Sequence, residues 1–294
     1  MVNRTSRLTV ALSTAALVGA AMAVSAAPAA AYPKCTDTLD GEWTGGVVTA
    51  GMVVCGGPGD DYVPEMAGGV FIGGPGNDAV KEKNGGRFYG NVGADVVTYH
   101  NGGKFIGGYG PDEVEYLGGG TFQGGPGKDA VTMDLFNDGV FIGGPGDDMA
   151  NNLYDDALFL GGSDDDYVMA VNWNEGTFRG GPGADHADYV DPNGVFHGGK
   201  GKDSAVYVYN GGRFLGGPAP DTVEMLFDSG KFVGARAADK VTECLRDAIF
   251  HGGAGTDSAA VEGGTNVLTG VEIETEATEV CPGLGPVVAS RGAR

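Results

Sequence analysis

The feature that most constrains the fold of this chain is a unit of 17–19 residues that recurs twelve times. Each copy contains a Gly-rich segment that ends in Asp, as in residues 73–78, GGPGND. A unit this short cannot bury an apolar core alone, so stacked neighbours must complete it. The repeat therefore predicts a solenoid over most of the chain. The Asp is present in every copy: Asp61, Asp78, Asp95, Asp112, Asp129, Asp148, Asp166, Asp185, Asp203, Asp221, Asp239 and Asp257.

Two apolar positions recur within each unit. A Val or Ala lies two residues after the Asp, and a Phe follows later, so that Phe88 is eight residues after Val80 and nine before Val97. Eleven of the 13 Phe residues occupy that one position. Two apolar signals indicate two short strands and two turns per coil, whereas a three-sided helix would place an apolar residue at every sixth position. We expect an all-β solenoid of about 12 coils, stacked at about 4.8 Å.

The Gly-rich turn has the composition of a cation site. Gly supplies 57 of the 294 residues, and it tolerates the positive φ angles that turn several carbonyl oxygens towards one point. The Asp adds a carboxylate, and Ca²⁺ takes six to eight oxygen ligands of these two kinds. Twelve stacked turns define eleven gaps, each open to oxygens from two turns. The alternative is that each Asp only caps its turn by accepting hydrogen bonds from backbone amides.

The units resemble the calcium-binding nonapeptide repeats of the RTX, or haemolysin-type, family, whose pattern is Gly-Gly-x-Gly-x-Asp-x-apolar-x. The resemblance covers residues 56–272. It implies a right-handed parallel β-roll with Ca²⁺ between successive turns. Only one half of each coil matches, since segments such as residues 84–88, NGGRF, lack the Asp. We therefore expect calcium on one edge only.

The resemblance also implies which oxygens bind the cation. The Asp of every turn would supply a carboxylate, and Gly residues of the turns would supply carbonyl oxygens. Four turns have lost Gly, and the turn over residues 234–239 is expected to be the weakest site. The implied carbonyl ligands are Gly56, Gly57, Gly73, Gly74, Gly107, Gly108, Gly124, Gly125, Gly143 and Gly144.

Residues 1–31 have the pattern of a secretory signal peptide. Arg4 and Arg7 precede an apolar, Ala-rich stretch, and residues 29–31 supply small side chains before a cleavage site. Cleavage would leave 16 basic and 39 acidic residues, a net charge of −23, with no integral membrane segment. RTX proteins of Gram-negative bacteria usually lack such a leader, so a secreted actinobacterial-type variant is indicated. We expect four segments: a signal peptide (1–31), an N-terminal cap (32–55), the repeat domain (56–272), and a C-terminal cap and tail (273–294).

Four Cys residues would remain after cleavage, and an even number in a secreted chain indicates two disulfides. Cys55 precedes the first coil and Cys244 lies in the eleventh, so a stacked solenoid separates them by roughly 45–50 Å. A disulfide needs Cα atoms within about 7 Å. We therefore expect the pairs Cys35–Cys55 and Cys244–Cys281, each closing one end of the solenoid.

Charge and domain length restrict the possible functions. The chain has 18 Lys and Arg against 39 Asp and Glu, which opposes binding to nucleic acid and to anionic membranes. The segments outside the repeats are too short for a catalytic domain, so we expect no enzyme activity. The sequence favours a secreted, calcium-binding structural scaffold. The alternative is a calcium-dependent adhesion or ligand-binding protein with a cell-wall or glycan partner, and an enzyme or toxin is less favoured.

The four His residues, His100, His186, His197 and His251, occupy scattered repeat positions. His197 and His251 share a column but lie three coils apart, about 14 Å, which is too far to share a metal ion. We expect all four to be solvated strand or turn residues. The chain contains no His-Glu-x-x-His, Gly-x-Ser-x-Gly or phosphate-loop motif.

Overall fold

The computed structural model describes residues 32–171 and 175–277. The chain divides into two compact units, residues 1–34 and residues 35–294, and only residues 32–34 of the first are described. The expected signal peptide lies outside the described residues. Within the described part of the chain, no helix is long and apolar enough to cross a membrane.

Two parallel sheets make up the described part of the second unit, and successive strands alternate between them from β3 (Tyr62–Met66) onwards. Each coil therefore contributes one strand to each sheet, which confirms the all-β, parallel β-roll with two strands per coil. The first sheet contains, in order, β1 (Asp37–Thr38), β2 (Val53–Cys55), β4 (Val70–Pro75), β6 (Arg87–Val92), β8 (Lys104–Tyr109), β10 (Thr121–Gln123), β12 (Val140–Pro145), β14 (Leu158–Ser163), β16 (Thr177–Pro182), β18 (Val195–Lys200), β20 (Arg213–Gly217), β22 (Lys231–Ala235), β24 (Ile249–Gly253) and β26 (Val267–Thr269). The second sheet contains β3, β5 (Ala79–Lys83), β7 (Val96–His100), β9 (Glu113–Leu117), β11 (Ala130–Leu135), β13 (Met149–Leu153), β15 (Tyr167–Val171), β17 (His186–Val190), β19 (Ser204–Val208), β21 (Thr222–Phe227), β23 (Lys240–Arg246), β25 (Ser258–Gly263) and β27 (Ile273–Glu276).

A single main apolar core fills the space between the sheets. The eleven repeat Phe residues lie on the first sheet, fully buried, and adjacent rings stack with centroids 4.6–5.0 Å apart. The Val or Ala of each unit faces them from the second sheet. Because the ladders are parallel and in register, Phe88 pairs with Phe105, and Val80 pairs with Val97. Burial of each Phe contributes about 1.5–3 kcal/mol, so the core depends on every coil having a neighbour.

The sheets continue into both segments expected to be caps. Strands β1 and β2 lie within residues 32–55, and β27 lies within residues 273–294. The disulfide Cys35–Cys55 is present, with its Cα atoms 5.7 Å apart, which confirms the N-terminal pairing. Cys244 is buried on β23, whereas its expected partner Cys281 lies outside the described residues.

A further buried column of the second sheet contains two polar side chains. This column holds Met, Leu or Val in most coils, but Lys83 and His100 in two neighbouring coils. The Lys83 ammonium donates hydrogen bonds to the carbonyl oxygens of Gly85, Gly86 and Gly102 at 2.7–3.3 Å. Burial lowers the pKa of Lys83 to about 7 and that of His100 to about 3. The expectation that all four His residues are solvated is wrong for His100, because its strand position points into the core.

Candidate functional site

The twelve predicted Asp residues form one continuous ladder along an edge of the solenoid. The backbone amide of each Asp donates a hydrogen bond to Oδ1 of the Asp one coil later, at 2.7–3.0 Å, in all eleven steps. The side chains are buried, with 0–3% of their residue surface exposed. Each carboxylate therefore caps the turn of the preceding coil rather than its own.

At each end of the Asp ladder, a residue outside the repeated Asp position supplies the missing hydrogen-bond partner. The amide of Gly41 donates to Oδ1 of Asp61 at 2.7 Å, and the amide of Asp257 donates to Oε2 of Glu272 at 2.7 Å. Glu272 thus takes the place of a thirteenth Asp. Sequence reasoning missed it because it is a Glu and follows Asp257 by 15 residues instead of 17–19.

The second carboxylate oxygen has a different environment. Oδ2 of every ladder Asp is buried and has no hydrogen-bond partner among the described residues. It lies against the Cα of the Gly that begins the same turn, and a Cβ on that Gly would overlap it in all twelve turns. The position that a Cβ on Gly143 would take also lies 2.6 Å from the carbonyl oxygen of Gly161, the equivalent residue of the next coil. Carboxylate and carbonyl oxygens therefore converge between adjacent turns.

In the turns after the first, the second Gly has a positive φ and a close neighbour, whereas Gly57 of the first turn has neither. Gly74, at φ 130°, faces the carbonyl oxygen of Gly57 so closely that a Cβ could not be placed between them. Where another residue replaces this Gly, the φ angle is still positive, at 83° for Asn91 and 145° for Ala235. A non-Gly residue in this region costs about 1–3 kcal/mol, so the turn carrying Ala235 is strained. Asp239 of that turn nevertheless keeps its place in the ladder.

The predicted carbonyl ligands already take part in backbone hydrogen bonds. The amide of Gly108 donates to the carbonyl oxygen of Gly124 at 2.8 Å, and the amide of Gly125 donates to that of Gly143 at 2.9 Å. A carbonyl oxygen has two lone pairs, so one acceptor position remains on each. These Gly residues therefore hold adjacent turns together whether or not a cation is bound.

Burial strongly disfavours the charged form of the ladder. Desolvation is the largest cause of the shift, and the hydrogen bond from the preceding amide opposes it. An ionised row of these carboxylates is consequently unstable near neutral pH unless positive charge compensates it. The pKa is raised from 3.8 to about 6 at Asp95, Asp203 and Asp239, to about 7 at Asp78, Asp129, Asp185 and Asp221, to about 8 at Asp112 and Asp148, and to about 9 at Asp166.

The possible ligand atoms of the ladder are of the element that Ca²⁺ prefers. All are oxygens, which suit a hard cation such as Ca²⁺ and not a metal that prefers sulfur or nitrogen. Among the residues that the structure describes, no group of three or more His, Cys, Asp or Glu side chains surrounds one point. A cation in the ladder would therefore depend on Gly carbonyl oxygens as well as on the unpartnered Oδ2 atoms.

A polar network outside the ladder brings a Ser, a His and an Asp together. On the outer surface of the second sheet, Nδ1 of His186 lies 2.7 Å from Oγ of Ser204, and its Nε2 lies 3.0 Å from Oδ1 of Asp188. The Tyr167 hydroxyl donates to the other oxygen of Asp188 at 2.6 Å. The amides of His186 and Ser204 are bound to carbonyl oxygens of the preceding coils, so they are not free to stabilise an oxyanion. The network links three adjacent strands, β15, β17 and β19, and sequence spacing alone did not reveal it.

The fold and the ladder define a parallel β-solenoid with one buried carboxylate per coil. No family model matches the chain, and no curated protein or solved structure is similar enough to count as a match. The resemblance to RTX repeats stays a prediction from the motif.

Proposed function

We propose that this chain is an extracellular structural protein whose solenoid binds Ca²⁺ between its stacked Gly-rich turns. The observation that carries the proposal is the row of twelve buried Oδ2 atoms without hydrogen-bond partners among the described residues. A buried carboxylate must be protonated or compensated by a cation. The adjacent Gly carbonyl oxygens favour compensation by a cation that accepts oxygen ligands.

The two oxygens of each Asp have separate tasks in this proposal. Oδ1 accepts the amide of the preceding coil, which fixes the orientation of the carboxylate. Oδ2 of the ladder Asp residues and the Gly carbonyl oxygens, such as those of Gly73 and Gly74, would hold the cation. Bound Ca²⁺ supplies the positive charge that lets buried carboxylates ionise. Metal binding would thereby strengthen the contact between neighbouring coils, which is the contact that a solenoid needs.

An oxidising, calcium-rich compartment is consistent with the described structure. The Cys35–Cys55 disulfide is typical of secreted proteins. Extracellular modules commonly bind Ca²⁺ with a Kd of about 10⁻⁴–10⁻³ M. At ten times that Kd, each independent site would add about 1.4 kcal/mol to the free energy of unfolding, so a few sites would decide whether the solenoid is folded.

Calcium titration of metal-free protein tests the proposal. Calorimetry should show binding of several Ca²⁺ ions, and far-UV circular dichroism should show an increase in β signal or thermal stability. A triple variant, Asp112→Asn, Asp129→Asn and Asp148→Asn, is the matched control. Asn keeps an acceptor for each amide but removes the charge, so the variant should fold and bind fewer Ca²⁺ ions.

Two results would overturn the proposal. One is the absence of binding heat and of any stability change at millimolar Ca²⁺. The other is unchanged Ca²⁺ stoichiometry in the triple Asn variant. Equal responses to Mg²⁺ and Ca²⁺ would point to general charge screening, because Mg²⁺ requires a smaller, octahedral site.

A further inference from the structure

The outward surface of the first sheet differs sharply from the rest of this acidic chain. We define the first face as the outward side chains of the even-numbered strands β4 to β26, with two side chains per strand. None of these 24 side chains is Asp or Glu, although the chain has a net charge of −21. Twelve are Val, Leu or Ile, and five are Lys or Arg. The face is therefore flat, apolar and basic.

The cations of the first face have no acidic partner within the part of the chain that is described. They are Arg87, Lys104, Arg179, Arg213 and Lys231, and none of them forms an ion pair there. A shallow groove of about 580 Å³ runs beside Arg179 and Arg213, and its rim also carries Asp156 and Glu175, neither of which forms an ion pair with these cations. Unpaired cations on an apolar surface are typical of an interface that is completed by an acidic partner.

The opposite surface of the same solenoid is acidic. We define the second face as the outward side chains of the odd-numbered strands β3 to β23, which belong to the second sheet. It carries eight carboxylates against three basic residues, Lys81, Lys240 and Arg246. It also presents stacked tyrosines, with ring centroids 5.3 Å apart at Tyr99 and Tyr116 and 5.0 Å apart at Tyr189 and Tyr207. The two faces point away from each other, because the core lies between their sheets.

The charges of the two faces are also distributed in the same way along the solenoid. Each face has an uncharged central stretch, over β10, β12 and β14 of the first face and over β13 and β15 of the second, with charged strands on both sides of it. The end strands β4, β24 and β26 of the first face are also uncharged. If one copy is laid on another with a shift of one coil, four of the five cations meet a strand that carries a carboxylate. Examples are Arg213 over Glu224 and Lys231 over Glu243.

We infer that copies of this chain associate side by side, with the first face of one copy packed on the second face of another. Both faces repeat at the same strand spacing of about 4.8 Å, so their ridges can interdigitate along the whole length. With this shift ten strands of each face overlap, so a contact about 43 Å long and about 10 Å wide covers roughly 430 Å² on each copy, or about 860 Å² in total, which is the size of a weak, reversible interface. First-face contacts between two copies would bring cations together, and second-face contacts would bring carboxylates together.

The association leaves one free face at each side of every assembly. Such a contact is heterologous, and it produces an open stack rather than a closed dimer. The inference does not depend on Ca²⁺ binding to the ladder, since the Asp ladder is buried at one edge and belongs to neither face. Its consequence is that the solenoid would act as a subunit of a laterally extended layer or fibre.

Charge-reversal variants test the inference by sedimentation velocity in calcium-containing buffer. The wild-type chain should form concentration-dependent oligomers below about 100 µM, weakened by about 0.5 M NaCl. Arg213→Glu with Lys231→Glu places carboxylates opposite Glu224 and Glu243, and Glu224→Lys with Glu243→Lys places cations opposite Arg213 and Lys231. Each double variant should associate at least about tenfold more weakly, because like charges then face each other. The variant that carries all four changes should associate again, since its two faces are complementary.

The four-site variant distinguishes the proposed contact from the other possibilities. Contact between two first faces does not involve residues 224 and 243, so in that case the four-site variant would associate like the variant with Arg213→Glu and Lys231→Glu. Circular dichroism of each variant controls for folding. The inference is overturned if the wild-type chain stays monomeric at about 100 µM, if the double variants associate like wild type, or if the four-site variant stays monomeric. A monomeric wild type that instead binds an anionic polysaccharide or anionic vesicles would assign the first face to that partner.

Discussion

The backbone amide of Asp112 donates a hydrogen bond of 2.8 Å to Oδ1 of Asp129, one coil further along the chain. The other oxygen of Asp129, Oδ2, is buried without a hydrogen-bond partner among the described residues. One side chain therefore joins two coils through one oxygen and leaves the other available. Substitution can separate these two roles, because Asn keeps an oxygen acceptor but loses the charge.

We predict that Asp129→Ala and Asp129→Asn differ in metal-free protein. Ala leaves the buried amide of Asp112 without its acceptor, which should cost about 1–3 kcal/mol. Asn keeps that hydrogen bond and removes a carboxyl group whose pKa is raised by burial, so its cost should be clearly smaller. Urea unfolding of both variants at one pH measures the difference. Equal losses of stability would contradict the structural role of Oδ1.

The position of the Asp in the ladder should set the number of calcium sites that it affects. Asp129 has a ladder neighbour on each side, whereas Asp61 begins the ladder beside the amide of Gly41. Asp129→Asn should therefore weaken two sites and Asp61→Asn only one. Calorimetry on the two variants gives the stoichiometry. Identical stoichiometry in both variants and wild type would show that these carboxylates are not ligands.

The repeat predicted the fold because each coil uses the same interactions. A Phe at one position of every unit must stack on its neighbours once the ladders are parallel and in register, as Phe88 and Phe105 do. The elements outside the repeat were harder to predict from the sequence. The short strand β1 pairs with β2 across a loop without a repeat motif, and nothing in the spacing of residues 32–55 indicated that pairing.

The sequence located the ladder but not the hydrogen bonds within it. The Asp spacing predicted a column, whereas the link from each amide to the next Asp depends on a side-chain orientation that no spacing encodes. Glu272 escaped notice for the same reason, since its place in the ladder follows from the backbone path. Lys83 and His100 were missed because they occupy a column that is apolar in the other coils.

Metal-free protein should be most stable in acid. Burial raises the pKa of ten ladder Asp residues from 3.8 to between about 6 and about 9, so the folded chain binds more protons than the unfolded chain across that range. Stability is therefore fully present below about pH 4 and falls as the pH rises towards 9. Saturating Ca²⁺ should reverse the trend, because it binds the ionised carboxylates. Thermal unfolding with and without Ca²⁺ between pH 5 and pH 8 measures both slopes. A metal-free protein that becomes more stable as the pH rises would contradict this account.

Two Gly residues expected to supply carbonyl ligands should respond oppositely to substitution by Ala. A Cβ on Gly124 would overlap Oδ2 of Asp129, whereas a Cβ on Gly57 would have no atom within 4 Å. Neither residue has a positive φ, so backbone strain does not complicate the comparison. Gly124→Ala should lower the free energy of unfolding by about 1–3 kcal/mol, and Gly57→Ala should leave it unchanged or raise it by up to about 1 kcal/mol. Both variants keep the carbonyl oxygen, so equal behaviour in urea unfolding would mean that close approach of the carboxylate is not what requires Gly.

Replacement of Lys83 by Met should stabilise the solenoid at neutral pH. Lys83 is fully buried in a column that holds Met66 in the preceding coil, and burial lowers its pKa to about 7. The unfolded chain keeps a normal lysine, with a pKa near 10.5, so between about pH 7 and pH 10.5 it binds more protons at this residue, and the contribution of Lys83 to stability rises with pH there. Lys83→Met removes both the cost of burying the ammonium and its contribution to this rise.

The exposed Lys81 provides a control on the same strand. Lys81→Met makes the same side-chain substitution at a residue that is 54% exposed, and it should alter stability by less than about 0.5 kcal/mol. Melting temperatures of the two variants and wild type at pH 7 and pH 9.5, in saturating Ca²⁺, measure both effects. The carbonyl oxygen of Gly86 still accepts the amide of Lys104 at 2.9 Å after the substitution, which limits the loss of hydrogen bonding. A lower melting temperature for Lys83→Met at pH 7 would show instead that the ammonium, bound to its three carbonyl oxygens, holds together the turns that contain Gly85, Gly86 and Gly102.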